Sequence, residues 1–198
     1  MHGKYFEDCL KTQFDGASYY PISHTAPFDI SENFDAEKIP TSVKSTNSKL
    51  VCMADARRIF KIKRTFRLLV CCYHQDMDFK KVKTIREYII TPEEMQSMKC
   101  GIDYTTVKKF HNSIRKYRVG QHYEARMFAK NYLNEHIDNS SLIKLNPKID
   151  SKRQRRLQCS ISLDVLDKHV SKKNIYTENY RELEISSMQI YSPKKKAI

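Results

Sequence analysis

Asp29, Lys44 and Glu7 are the residues whose types and spacing could together do chemistry. Asp29 sits in the β-prone run Ala26-Pro27-Phe28-Asp29-Ile30-Ser31. Lys44 sits in a second such run, Ile39-Pro40-Thr41-Ser42-Val43-Lys44-Ser45, and the polar stretch Glu32 to Lys38 lies between. Read as two antiparallel strands joined by a turn near Asp35 and Ala36, the runs bring Asp29 opposite Ser42 to Lys44. Alternation puts Ser42 and Lys44 on one face and turns Val43 inward. The chemistry such a set suits is phosphodiester hydrolysis. A hard cation neutralises the phosphate and lowers the pKa of the attacking water. Mg²⁺ keeps several waters, so one or two carboxylates and a backbone carbonyl suffice to hold it. Lys44 would orient the water, help to deprotonate it and stabilise the developing anion.

The surrounding elements read as mixed α/β. Phe6, Cys9, Leu10 and Phe14 recur at helical spacing and predict a helix over Lys4 to Phe14, with Glu7 on its flank. A loop at Ser45 to Ser48 leads to a helix predicted over Leu50 to Phe60. Arg67 to Tyr73 is an almost continuous apolar run, the mark of a central strand covered on both faces, within a strand expected over Phe66 to Tyr73. Another strand is expected over Lys83 to Thr91, and Thr91-Pro92-Glu93-Glu94 has the form of a capping box that starts a helix. Amphipathic patterns predict helices over Asp103 to Tyr117 and Gln121 to His136. Leu142 to Leu145, a strand from Arg156 to Leu163, a helix from Asp164 to Val170 and alternation through Leu183, Ile185, Met188 and Ile190 follow.

With 198 residues, 40% apolar and 30% charged, the chain is expected to fold as one domain over residues 1–192 with a basic tail at 193–198. No run of about 18 apolar residues and no signal-peptide pattern occurs, so a cytoplasmic protein without a membrane partner is expected. Thirty-six Lys and Arg against 23 Asp and Glu give a net charge of +13, which favours a polyanion, nucleic acid first. None of the six cysteines forms a C-x-x-C pair, and the seven histidines show no paired metal spacing. His111 and Asn112 read as surface residues of their helix. The absence of a Gly-rich phosphate loop argues against a nucleotide cofactor.

At Pro27-Phe28-Asp29, Ser42-Val43-Lys44 and Glu7 the chain resembles the restriction-endonuclease-like nucleases, whose motif is Pro-Asp on one strand, acid-x-Lys on the next and a Glu on the preceding helix. Phe28 stands between proline and aspartate, and Ser42 takes the place of the second acid. The motif covers residues 7 to 44. The resemblance implies a mixed central β-sheet flanked by helices and catalysis by Asp29, Lys44, Glu7 and Ser42. It also implies Mg²⁺ on Asp29, the Val43 carbonyl and Glu7. The expected activity is that of a type II restriction endonuclease cutting double-stranded DNA at a short specific sequence as a homodimer. A structure-selective repair or recombination nuclease of the same fold, and a non-catalytic DNA-binding protein, are the alternatives.

A second constellation, Lys148, Lys152, Arg153, Gln154, Arg155, Arg156 and Gln158, leads directly into a strand. Arg can bond guanine O6 and N7, Gln can bond adenine, and Lys or Arg can grip phosphate, which makes this segment a DNA-contact candidate. Arg57, Arg58, Lys61, Lys63, Arg64 and Arg67 form another basic stretch, expected to contact the DNA backbone.

Overall fold

A computed structural model describes residues 28–35, 37–75, 80–137, 140–177, 183–185 and 188–190. The expected helix over Lys4 to Phe14, with Glu7, lies outside them, as do Pro27 and the tail at 193–198. The fold is mixed α/β. Its described elements are β1 (Thr41–Thr46), β2 (Leu50–Asp55), α1 (Ala56–Lys61), β3 (Phe66–Gln75), β4 (Lys80–Ile90), α2 (Pro92–Lys99), α3 (Tyr104–Arg115), α4 (His122–His136), β5 (Ile143–Ile149), β6 (Arg155–Ser162), α5 (Leu163–His169), β7 (Lys172–Tyr176), β8 (Leu183–Ile185) and β9 (Met188–Ile190). The chain forms two compact units. One holds Met1–Val51, Thr65–Thr91 and Leu166–Ile198, the other Cys52–Arg64 and Pro92–Val165. Among the described residues no helix is long and apolar enough to cross a membrane.

The first unit is built on a four-stranded sheet in the order β1-β3-β4-β7. β3 carries the apolar run, and Leu68, Leu69 and Val70 are fully buried, as expected of a strand covered on both faces. Its neighbours differ from the sequence-based expectation. β1 runs parallel to β3, with Val43 beside Leu69 and Lys44 beside Val70, while the segment before it makes only a single antiparallel bridge, Ile30 to Thr41. A parallel neighbour requires a long crossover. Here the crossover is β2 and α1, which belong largely to the second unit. β7 completes the sheet on the far side of β4, a strand that the weakly alternating sequence Lys172 to Tyr176 did not announce.

The second unit holds a three-stranded sheet in the order β2-β6-β5, packed by α1, α3 and α4. Phe110 on α3 and Tyr132 on α4 stack at 4.4 Å with nearly parallel rings. The helix expected over Leu50 to Phe60 is a strand followed by a short helix. Leu50, Cys52 and Ala54 are exposed while Val51 and Met53 are buried, a period-two pattern that helical counting overlooked. Ala54 takes a left-handed φ of 69°, the strand ends, and the Asp55 carboxylate caps α1 by accepting from the Arg57 N–H at 2.8 Å. Asp55, rather than the loop residues, is therefore the true helix start signal.

Candidate active site

The site is assembled on the edge of β1 away from β3, which among the described residues pairs with no named strand. In a strand the N–H and C=O of one residue point to the same side, and β1 spends its other edge on β3. The bridge from Ile30 to Thr41 closes the start of this edge: the Asp29 and Ile30 N–H groups both donate to the Thr41 carbonyl at 3.0 Å, and Thr41 N–H returns a bond to the Ile30 carbonyl. The Phe28 ring packs against buried Phe66 with centroids 5.8 Å apart and holds the segment to the start of β3. One residue further along, the Asp29 side chain stands where a neighbouring strand would continue.

Asp29 Oδ2 accepts from the Val43 N–H at 2.7 Å, from Ser42 Oγ at 3.1 Å and from Lys44 Nζ at 3.0 Å. The ammonium also donates to the Val43 carbonyl at 2.8 Å. Lys44 Nζ is thus a cation held between a carboxylate oxygen and a carbonyl oxygen, and both side chains of the pair are largely shielded from water. Ser42 and Lys44 share a face, as alternation required, and Val43 is buried. The structure therefore brings together four of the five residues of the expected site, Asp29, Ser42, Val43 and Lys44; Glu7 is the fifth and lies outside the described residues. Among the described residues no three His, Cys, Asp or Glu side chains cluster. Asp29 Oδ2 and the Val43 carbonyl are the oxygens that fit a hard cation, and a metal there would have to take the place of the ammonium.

The turn after Asp29 is held by Asp35 and by Arg67, which the sequence places among the DNA-backbone contacts but which is buried and paired with acids. Asp35 Oδ1 accepts from the Glu37 N–H at 2.8 Å and the Ile39 N–H at 3.4 Å, while Oδ2 pairs with Arg67 on β3. Arg67 also lies 2.8 Å, through Nε, from Glu87 Oε1 on β4, although that N–H does not point along the line between them. Glu87 Oε2 in turn accepts from Asn174 at 3.0 Å and from Tyr176 at 2.9 Å, both on β7. Burial pushes the Asp35 carboxyl up, but the Arg67 guanidinium and the two turn N–H groups outweigh it and hold the pKa below its ordinary value. Burial and the neighbouring Glu87 push the Tyr176 phenol up to about 12, so it stays a donor. These charges are buried and mutually paired, which makes them structural. The available signal was Arg67, a charge at the start of an otherwise apolar run, and its partners Asp35 and Glu87 come from distant parts of the chain.

On the face of the sheet that carries Ser42 and Lys44 stands a second polar group. Lys44, Val70 and Arg86 lie side by side across β1, β3 and β4, which sets Lys44 and Arg86 two strand spacings, about 10 Å, apart. Arg86 pairs with Asp167 on α5, and Tyr88 donates to Asp167 Oδ1 at 2.7 Å. Burial and Asp167 push the Tyr88 phenol well above its ordinary range. Sequence reading missed all three, since none belongs to a local motif.

The second unit holds the DNA-contact candidates. Lys148 on β5 is exposed, as are Arg156 on β6 and Lys152 and Arg153 in the connecting turn, while Gln154 and Gln158 are half-buried. Arg155 is engaged differently: its guanidinium donates to the carbonyls of Asp150, Gln154 and Arg118 at 2.7 to 2.9 Å, and its side chain is 7% exposed. Those bonds hold the turn together. Arg58 is exposed, and Arg57 pairs with Asp55 at 3.3 Å. His111 is only 2% exposed, contrary to its reading as a surface residue, and neither ring nitrogen has a hydrogen-bond partner among the described residues. A cavity of about 740 Å³ in this unit is lined by Phe60, Ile62, Lys99 and Tyr104 among others. Its buried Lys99 serves α1, donating to the Phe60 carbonyl near the helix end at 3.4 Å.

Compared with protein-family models, curated proteins and solved structures, the chain matches none.

Proposed function

We propose that the chain is a metal-dependent endodeoxyribonuclease with a restriction-endonuclease-like fold. In this reading it hydrolyses phosphodiester bonds of double-stranded DNA at a short specific sequence, in the manner of a type II enzyme. The observation that carries the reading is the convergence of Asp29 Oδ2 and the Val43 carbonyl on the Lys44 ammonium. Two oxygens already arranged around a positive charge are the protein's share of a Mg²⁺ site, with Glu7 as the further ligand and waters filling the rest. A Mg²⁺ held by those oxygens would neutralise the phosphate and lower the pKa of the attacking water, and the Lys44 charge, beside the same oxygens, would favour hydroxide and the anion that develops. Ser42, already bonded to Asp29, fixes the carboxylate orientation instead of adding a ligand. The net charge of +13 suits a DNA substrate. A homodimer would supply one such site per strand.

The test is incubation of unmethylated phage DNA with the protein and Mg²⁺, followed by end sequencing of the fragments. Discrete fragments sharing one terminal sequence fit the type II reading. Products that depend on branches or flaps in place of sequence would assign the site to a repair or recombination nuclease. A second reading, a DNA-binding protein without cleavage, draws on Ser42 at the usual acid position, and duplex binding with no cutting in Mg²⁺ or Mn²⁺ would establish it.

A further inference from the structure

β5 and β6 form an antiparallel two-stranded ribbon in register from Ile143 opposite Ile161 to Ile149 opposite Arg155. Its two faces differ: one is apolar and buried, the other polar, with Lys144, Lys148 and Arg156 exposed, Asn146 and Gln158 half-buried and Ser160 buried. Ile143, Leu145, Ile149, Leu157, Cys159 and Ile161 are buried. The other face presents Lys148 opposite Arg156, Asn146 opposite Gln158, and Lys144 opposite Ser160. β5 is the sheet edge, and Pro147 within it is tolerated because an edge strand can spare a ladder N–H. No carboxylate occurs in either strand. From β2 the exposed residues are Leu50, Cys52 and Ala54, none of them charged, with Cys52 Sγ 3.9 Å from Gln158 Oε1.

We infer that this ribbon face is the sequence-reading surface, lying in the major groove of duplex DNA with Asn146 and Gln158 toward the bases and Lys144, Lys148 and Arg156 toward phosphates. The inference rests on the nuclease reading and deepens it by naming how the sequence is chosen. A pair of strands can present its side chains to the major groove, about 12 Å wide, and here the edge strand β5 and its neighbour β6 carry the polar residues while β2 flanks β6 on the other side. Amide side chains make paired bonds to adenine N6 and N7, and cations at either end of the ribbon neutralise the strands that border the groove. Asn146 is also held in place: its Nδ2 donates to Ser160 Oγ at 2.8 Å and to the Lys144 carbonyl at 3.3 Å, so it meets a base through its carbonyl oxygen, as acceptor from adenine N6 or cytosine N4, and the paired contact falls to Gln158. The Arg155 bonds described above tie down the tip of the same ribbon, so Arg155 positions the reader without itself reading. Charge complementarity selects the occupant, since the face carries three cations and no acid on β5 and β6.

The experiment selects duplexes from a random pool with the full chain in chelator-containing buffer, then compares variants on the selected duplex and measures cleavage separately in Mg²⁺. The Lys144→Ala/Lys148→Ala variant should lower the slope of log affinity against log salt by about two units without changing the preferred sequence. Gln158→Ala should keep the slope and relax preference at one base pair by about fivefold or more. All three side chains lie on the open face of the ribbon, and unchanged thermal unfolding confirms that the variants fold. Wild-type slope in the lysine variant, wild-type preference in Gln158→Ala, failure of the wild type to bind duplex DNA, or tighter binding to RNA of the same sequence would each overturn the assignment. Cleavage separates the two readings. Ribbon-dependent sequence preference without cleavage would sink the nuclease reading and leave the ribbon assigned, whereas sequence-specific cleavage indifferent to both variants would do the opposite.

Discussion

Arg67 on β3 pairs with Asp35 in the turn before β1, and both side chains are almost completely buried. The pair decides where the Asp29 segment meets the edge of β1. Removing the cation leaves Asp35 and Glu87 buried and uncompensated, a loss of about 3 to 5 kcal/mol. Arg67→Leu should therefore be destabilised by that much in denaturant unfolding. The pH dependence has a fixed sign. The Asp35 pKa is lowered on folding, so its stabilisation is complete above its unfolded value of 3.8 and is lost as pH falls through the folded value. Asp35→Asn should flatten the acid limb of the stability curve, and an unchanged acid limb would contradict the pairing.

His111 gives a second pH limb. Burial lowers its pKa below 6.5, and the nearby Arg57 guanidinium lowers it further. A proton that binds the unfolded chain more tightly than the folded one destabilises the fold. The His111 contribution is therefore constant above pH 6.5 and declines as pH falls from there toward the folded value. His111→Leu also removes two buried nitrogens without partners among the described residues, each a cost of about 1 to 3 kcal/mol when left unsatisfied. The variant should be at least as stable as wild type at pH 8 and should gain on it between pH 6.5 and 5, measured by urea unfolding. Parallel stability curves for the two proteins would show that His111 does not titrate on unfolding.

Ser42 is 4% exposed and hydrogen-bonded to Asp29, so Ser42→Asp sets two carboxylates together where one now stands. Without metal they repel, and with metal they share it. The variant should melt below wild type in chelator and should gain more from Ca²⁺ or Mg²⁺ than wild type does, read as the rise in melting temperature. An equal rise in both proteins would remove this strand edge from the metal site. Glu7→Gln should act in the opposite sense and raise the half-saturating Mg²⁺ concentration for cleavage; an identical value would take Glu7 out of the site.

The sequence order showed the Asp29, Ser42 and Lys44 constellation because its geometry is local: a turn, one bridge and one strand edge. It showed β3 because a strand made almost wholly of apolar residues must be covered on both faces, which places it inside a sheet. It did not show that β1 pairs parallel with β3, since the crossover passes through β2 and α1, and helical periodicity masked the alternation of Val51 and Met53. The partners of Arg67 and Arg86 were equally hidden. Glu87, Asn174, Tyr88 and Asp167 come from strands and a helix far apart in the chain, and no spacing rule joins them. Arg155 looked like Arg156 because composition carries no record of which guanidinium meets three carbonyls.

Cleavage of the selected duplex by wild type, Asp29→Ala and Lys44→Ala across a Mg²⁺ titration, with binding measured in parallel, tests the central assignment most directly. Asp29 Oδ2 and Lys44 Nζ meet at 3.0 Å on the edge of β1, and the proposed roles are metal ligand for the first and water activation for the second. Wild type should cut in Mg²⁺ and not in chelator, and each variant should lose at least about 100-fold in rate at saturating Mg²⁺, a loss of about 3 kcal/mol in the barrier, while duplex binding stays within a few-fold. Cutting by either variant at the wild-type rate in saturating Mg²⁺, or Mg²⁺-independent cutting by wild type, would contradict the assigned site.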